Sequence, residues 1–404
     1  MARSVRSRLE PAAEGFTFLA AVSSFLSIAV SHSAQAIALV LLVVRGEKLR
    51  WPPIAAPVCA FFAWSVISAL FSGDPLAAWP QLRKAFVYSM LITVYTVFVT
   101  RDDARRVLHA WAAAAFASVL VSFWQFYDKW ELAKEHGQDF LASYEGERIT
   151  GFLSHWNTFS QALLLAFVAL TSYVLFARSA RAHRTVWLFI WLAIGLALVL
   201  SYTRSVWLAM GIVGLYFAWM LNRKLLWLVP IVLTILVFAA PESIQKRALS
   251  SVSPDDNSNR IVMWRAGWTM IKERTWFGIG TGRMAEAFPY YIPDDVDELP
   301  LGYYGHLHSI YVHYAAERGV PALLAILWLL GTVLWDHGRA LRKSTPGGDD
   351  RYLLHAGIAA TISVLTVGIF DLTLDDSEIL GTYLILIAVT YRAVERTLSP
   401  TSAP

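Results

Sequence analysis

Blocks of apolar residues, each about as long as a membrane-spanning helix, recur along the chain and are separated by polar segments. Crossing the hydrocarbon of a bilayer takes about 20 mostly apolar residues in a helix, so these blocks predict transmembrane helices. We predict about twelve spans, at 15–31, 33–45, 52–71, 80–99, 104–127, 156–177, 184–202, 204–221, 224–240, 309–336, 352–371 and 376–395. The first two are short and fit either a hairpin or one long tilted helix.

The composition agrees with this pattern, because 56% of the 404 residues are hydrophobic and only 16% are charged. Such a balance excludes one or two water-soluble domains. We therefore expect an all-α polytopic membrane protein, with residues 1–404 forming a single membrane domain. The net charge of +4 is modest and reflects membrane topology rather than nucleic-acid binding.

Basic residues fall in alternate loops, which predicts the orientation of the chain. They are Arg3, Arg6, Arg8, Arg45, Lys48, Arg50, Arg101, Arg105, Arg106, Arg178, Arg181, Arg184, Arg223, Lys224, Arg339, Arg342, Lys343, Arg351, Arg392 and Arg396. By the positive-inside rule, these loops and both termini are cytoplasmic. The opposite side carries short acidic or neutral turns, such as Asp371 to Asp376.

Two long connections, 128–155 and 241–308, lie on this outer side in the predicted topology. Long connections that contain no membrane span often carry functional residues, so we expect the functional site in these two connections. In the larger loop, apolar residues at three- and four-residue spacings between Asn259 and Thr275 predict an amphipathic helix at the membrane surface.

Three outer-side residues are candidates for chemistry. Arg204 lies between two apolar blocks with almost no loop, where a charge is costly, so it either snorkels to the headgroups or has a function. Arg260 begins the amphipathic segment and, taken alone, also fits a solvated charge or a lipid-phosphate contact. His308 precedes an apolar block, where a histidine either exchanges protons near neutral pH or donates to a backbone carbonyl.

Cysteine and histidine spacings predict neither a disulfide framework nor a metal site. Cys59 is the single cysteine, so no disulfide forms within one chain. His306, His308 and His313 cluster, but no nearby carboxylate has a recognisable ligand spacing. We therefore expect no metal.

Four ordered sequence elements resemble a known family. They are Arg148 to Asn157; Thr203-Arg204-Ser205; Arg260 with Trp264, followed by Gly278-Ile279-Gly280-Thr281-Gly282; and His308-Ser309, followed after nine residues by Gly319. Together they resemble the O-antigen ligase family and its relatives, the O-antigen polymerases and O-linked oligosaccharyltransferases of Gram-negative bacteria. The last element follows the family pattern His-[Asn/Ser/Gln]-x9-Gly-x-x-[Gly/Thr/Tyr], except that Ala322 stands at its final position.

The resemblance implies a fold like that of the C-type glycosyltransferases, in the bacterial inner membrane. The expected site faces the periplasm, with 128–155 as the smaller periplasmic loop and 241–308 as the larger one. The implied donor is O-antigen polysaccharide on undecaprenyl pyrophosphate, and the implied acceptor is a sugar hydroxyl of lipid A–core. The partners are then these substrates and membrane lipids, with no nucleic acid, metal or other cofactor.

The resemblance also implies roles for individual residues. His308 is expected to be the general base, while Arg204 and Arg260 bind the diphosphate. Arginine suits that task because its guanidinium donates two parallel hydrogen bonds to phosphate oxygens. Further candidates for substrate contact are Arg148, Asn157, Trp264 and Arg265.

Two alternatives to a ligase remain open at the level of sequence. An O-antigen polymerase or a protein O-oligosaccharyltransferase shares the donor and the chemistry but not the acceptor. A lipid-linked saccharide flippase or other transporter is expected to line the middle of several spans with charge, whereas this sequence keeps nearly all its charge at their ends.

Overall fold

The computed structural model describes residues 2–228, 234, 242–249, 258–296 and 305–399. Its α-helices are α1 (Ala2–Ser23), α2 (Ile28–Arg45), α3 (Ala55–Leu70), α4 (Trp79–Leu82), α5 (Ala85–Val97), α6 (Arg101–Glu135), α7 (Phe140–Gly146), α8 (Trp156–Phe176), α9 (Arg184–Leu200), α10 (Arg204–Leu221), α11 (Glu242–Leu249), α12 (Ser258–Glu273), α13 (Met284–Ala287), α14 (Ile310–Arg318), α15 (Val320–Lys343), α16 (Arg351–Val367) and α17 (Ser377–Leu398). Short 3-10 turns lie at Pro75–Ala78, Ser179–His183, Arg223–Leu228, Phe288–Tyr291 and Thr373–Asp375. No strand occurs in the described ranges, which confirms the all-α prediction.

Within the described ranges, seven helices are long and apolar enough to cross a bilayer: α2, α6, α8, α9 with its preceding turn, α10, α15 and α17. The apolar helices α3 and α16 are shorter. On α9, the side chains of Phe189, Leu192 and Leu196 are 62%, 61% and 52% exposed, an arrangement that suits hydrocarbon rather than water. The chain is a multi-pass membrane protein.

Several helices have boundaries that differ from the predicted spans. The first two blocks form separate helices, α1 and α2, that pack side by side as a hairpin. The predicted span 309–336 is two helices, because the chain breaks at Gly319 between α14 and α15. The predicted span 80–99 contains the 13-residue helix α5. The total of about twelve spans stays a prediction.

The two long connections are only partly loops. The smaller one, 128–155, holds the end of α6 and all of α7, and the predicted amphipathic segment of the larger one forms α12. Residues 250–257 and 297–304 of the larger connection lie outside the described residues, as does most of the predicted span 224–240.

The centre of the bundle is formed by α8, α16 and α17, which are largely buried. Where α16 starts, the Asp350 carboxylate accepts from Arg101 Nη2 at 2.9 Å and from Arg396 Nη2 at 2.7 Å. We call this the basic end of the bundle. At the opposite end, α16 leads through residues 368–376 into α17, and the candidate site lies there.

A glycine-rich turn at 278–282 packs against the junction between α14 and α15. The Gly280 N–H donates to the Glu317 carbonyl at 3.0 Å. A Cβ at Gly278 would lie 2.4 Å from that carbonyl oxygen, and one at Gly319 would lie 1.9 Å from the Trp276 oxygen. Since both glycines also have positive φ, 66° and 87°, only glycine fits this contact.

Buried charges join the same junction to the turn before α17. Glu317 and Arg318 are 1% and 3% exposed, and their Oε2 and Nε atoms are 2.9 Å apart. Arg318 Nη2 lies 3.7 Å from Asp375 Oδ1, which also pairs with Lys84 Nζ at 2.6 Å. Burial raises the pKa of Asp375, but Lys84 and Arg318 outweigh it and hold that pKa below its usual value. The network therefore ties α14 and the turn before α17 to the start of α5.

Replacing Gly319 by alanine should destabilise the protein by roughly 2–5 kcal/mol, because the new Cβ meets the Trp276 carbonyl in a strained backbone conformation. Thermal unfolding of the purified protein in detergent measures the loss. The control is Gly331→Ala in α15, where a Cβ has no neighbour within 4 Å. Equal stability of the two variants would contradict the proposed close contact.

Replacing Glu317 by glutamine keeps the shape but removes the charge that faces Arg318. Breaking a buried pair typically costs roughly 3–5 kcal/mol, so the unfolding midpoint should fall clearly. Glu286→Gln is the control, since Glu286 pairs with Arg283 at an exposed position and its loss should leave the midpoint unchanged. A Glu317→Gln protein as stable as the wild type would show that the network does not hold the junction.

Candidate functional site

A cavity of about 940 Å³ lies at the end of the bundle opposite the basic end. Its lining includes Asn157 at the start of α8, Arg204 at the start of α10 and Arg260 in the first turn of α12. It also includes His308, just before α14, and Asp371, after α16. Segments far apart in the sequence therefore meet at one polar cavity.

Backbone strain marks two of these segments. In the described ranges, the non-glycine residues with positive φ are Tyr202, at 51°, and His308, at 46°. Tyr202 comes two residues before Arg204, and both Arg204 and His308 line the cavity. Such conformations cost on the order of 1–3 kcal/mol and concentrate at functional sites. The two strained positions therefore mark the segments that bring Arg204 and His308 to the cavity.

Neighbouring contacts hold the His308 backbone in place. The Leu307 carbonyl accepts a hydrogen bond from Trp264 Nε1 at 3.1 Å. On the other side, the Ile310 N–H donates to the Gly368 carbonyl at 2.8 Å. Trp264, on α12, therefore holds the segment that carries His308. This contact gives a structural reason why a tryptophan follows Arg260 in the sequence element.

Asp371 lies at the centre of the polar contacts and is only 5% exposed. Its carboxylate accepts hydrogen bonds from Ser205 Oγ at 3.1 Å and from Asn157 Nδ2 at 3.4 Å. His308 Nδ1 lies 3.7 Å from Asp371 Oδ1. A carboxylate at this distance stabilises positive charge on the imidazole when a proton is bound. The sequence did not identify Asp371 as a candidate site residue. The feature that could have pointed to it is the acidic turn between the last two apolar blocks.

Two further histidines line the cavity. The His306 ring packs edge-on against His308, with centroids 4.1 Å apart, and burial lowers the pKa of His306 to about 4. His155 caps α8, because its Nδ1 accepts from the Asn157 N–H at 3.1 Å, and burial lowers the pKa of His155 as well. Both rings are therefore neutral at neutral pH.

The two arginines reach the cavity from helix starts. Arg204 follows the strained loop that ends at Thr203, and Arg260 is half-buried with its guanidinium 6.0 Å from the centre of the Phe370 ring. The positive end of a helix dipole adds to the charge of both side chains, so this part of the cavity favours an anion.

The other sequence candidates lie outside the lining. Arg148 Nη1 donates to the Tyr202 carbonyl at 3.3 Å, so it braces the loop before Arg204. Arg265 lies on another face of α12, where it forms a two-fold hydrogen-bonded pair with Asp295 at 2.7 and 2.9 Å. Arg148 thus acts behind the cavity and Arg265 points away from it.

The remaining carboxylates of the cavity have their own partners. Asp375 pairs with Lys84, as described above. Asp376 caps α17 by accepting from the Glu378 N–H at 2.8 Å, and it accepts from Thr158 Oγ1 at 2.6 Å. No group of three or more His, Cys, Asp or Glu side chains in the described part of the chain is placed to hold a metal ion. The arrangement can bind an anionic group beside a histidine able to accept a proton.

Comparison with known proteins finds a family that is similar to part of this chain. A family model described as O-antigen ligase matches residues 188–327, which include Arg204, Arg260 and His308. No curated protein matches the chain. The matched segment also contains the glycine-rich turn and Gly319, whose contact is described above. The segment 188–327 is therefore similar to the O-antigen ligase family.

Proposed function

We propose that this protein is an O-antigen ligase of the bacterial inner membrane. It transfers O-antigen polysaccharide from undecaprenyl pyrophosphate to a sugar hydroxyl of lipid A–core, at the periplasmic face. The observation that carries the proposal is that Arg204, Arg260 and His308, all within the family domain, line one cavity. Both termini are then cytoplasmic, as the basic loops predict.

The reaction replaces one bond at the anomeric carbon by another. The acceptor oxygen attacks that carbon and forms the new glycosidic bond, while the bond to the pyrophosphate oxygen breaks. Undecaprenyl pyrophosphate leaves with the bonding electrons, and the acceptor proton passes to His308. Direct attack inverts the anomeric centre. Because the donor is already activated, we propose that neither a metal nor a nucleotide is needed.

The cavity supplies the three things that this step requires. Arg204 and Arg260 hold the diphosphate and offset the charge that develops as it leaves. His308 accepts the proton, and the neighbouring Asp371 carboxylate stabilises the imidazolium that results. Holding both substrates at one site lowers the barrier further, because the reaction no longer waits for a random encounter.

The position of the cavity favours an enzyme over a transporter. The polar residues named above come from helix ends on one side of the bundle, whereas a transport path needs polar groups through its middle. The polymerase and the protein O-oligosaccharyltransferase share this site chemistry, so the acceptor distinguishes them from the ligase.

Replacing His308 by alanine should lower transfer by roughly 10²–10⁴-fold, because the general base is lost. The assay uses purified protein, undecaprenyl-pyrophosphate-linked glycan and lipid A–core, and measures product mass. His136→Ala is the matched control, since His136 is exposed, directly follows α6 and has its ring bonded to the Leu132 carbonyl of that helix. The folded state of each variant is checked by thermal unfolding.

Undiminished transfer by folded His308→Ala protein would exclude the histidine as the base. Growth of the donor glycan in place of product on lipid A–core would assign the protein to the polymerases. Transfer to a protein acceptor alone would assign it to the O-oligosaccharyltransferases.

Replacing Arg204 or Arg260 by lysine should lower transfer by roughly tenfold to a hundredfold, although the charge is kept. Lysine cannot donate two parallel hydrogen bonds to a phosphate, so the stabilisation of the leaving diphosphate weakens. Arg223→Lys, at an exposed position beyond the other end of α10, is the control. If lysine at both sites supports wild-type rates, the arginines act only as remote charges.

A further inference from the structure

A second hollow, of about 440 Å³, lies on the outward face of α12. Arg265, Thr269 and Glu273 line it from the helix, at four-residue spacings that put them on one face. Tyr290 and Tyr291, from the 3-10 turn that follows α13, form the opposite wall. We call this hollow the outer groove.

The walls of the outer groove are held in place by packing and by an ion pair. Phe288, at the start of the tyrosine turn, is fully buried in the same hydrophobic cluster as Met263 and Met270 of α12. Beyond the tyrosines, Asp295 is bound by both terminal nitrogens of Arg265. The tyrosine turn is thus attached to α12 on both sides of the groove, so the two walls of the groove are held at a fixed distance.

The side chains of the outer groove match the chemistry of a sugar. Tyr290 is 85% exposed, which leaves an aromatic face open to pack against the C–H face of a pyranose ring. Glu273 and Asp294 offer carboxylate oxygens, which can accept hydrogen bonds from sugar hydroxyls. Arg265, the one cation among the described lining residues, is already paired with Asp295, while Glu273 and Asp294 are negative, so the groove disfavours a phosphate-bearing ligand.

One helix connects the outer groove with the reaction cavity. Asn259, Arg260 and Met263 of α12 line the cavity, whereas Thr269 and Glu273 line the groove. At about 1.5 Å per residue, Arg260 and Thr269 are roughly 14 Å apart along the helix axis. A chain of several sugars whose first residue lies in the cavity is long enough to reach the groove.

We propose that the outer groove is a second saccharide-binding site, which holds an uncharged stretch of the donor glycan away from the reacting sugar. This inference rests on the proposed function, because it takes the donor to be a lipid-linked polysaccharide. The groove raises the affinity for long donors without touching the reacting atoms. A donor that carries a single sugar does not reach it.

Direct binding to the purified full-length protein tests the outer groove. The probe is the lipid-free oligosaccharide that mild acid releases from the native donor, and saturation-transfer NMR measures its dissociation constant. Tyr290→Ala should weaken binding by roughly three- to tenfold, as expected for one lost aromatic contact. Tyr290→Phe should bind like the wild type. Trp268→Ala is the control, since Trp268 is exposed on the same helix but does not line the groove.

Transfer kinetics give the second readout. With a long donor, Tyr290→Ala should raise KM severalfold and leave kcat unchanged, whereas a donor that carries a single sugar should show no difference from the wild type. Equal binding by wild type and Tyr290→Ala, or equal KM for long donors, would overturn the inference. Failure of wild-type protein to transfer any donor would reject the proposed function instead, and the binding measurement would still decide whether the groove holds saccharide.

Discussion

The contact between the glycine-rich turn and the junction of α14 with α15 determines where the site forms. Backbone groups approach so closely there that Gly278 and Gly319 leave no room for a side chain. The buried pair of Glu317 and Arg318 lies at the same junction and extends it to the turn before α17. Because α14 begins just after His308, fixing this junction also fixes the histidine relative to α12 and its arginine.

The polar residues of the site lie where a membrane protein can hold them. Charges in the hydrocarbon are costly, and here they collect at helix ends, paired or capped. The site is less favourable for stability than these helix ends. Its backbone is strained at Tyr202 and His308, and the Asp371 carboxylate is buried. Features of this kind persist when the surrounding structure holds them, as Trp264 and the α16 terminus do for the histidine segment.

Hydropathy predicted the helical class and most helices because each apolar block is long and local. Hydropathy alone did not divide 309–336, since the average over a window conceals one Gly-x-Pro step at Gly319, although that step is itself a helix-breaking signal and the two helices do part there. The sequence pattern named Arg204, Arg260 and His308, which share the cavity, but it also named Arg265, which faces the outer groove. Asp371 was missed because its partners Ser205 and Asn157 are 166 and 214 positions away, and only the fold brings them together.

The proposed function requires the cavity to bind a lipid-linked diphosphate between Arg204 and Arg260, beside His308. An electron cryomicroscopy structure of the purified protein with undecaprenyl-pyrophosphate-linked glycan tests it directly. Diphosphate density should lie within hydrogen-bonding distance of both guanidiniums, with the first sugar next to the imidazole. Density for the diphosphate at the basic end of the bundle, or away from both arginines, would contradict it.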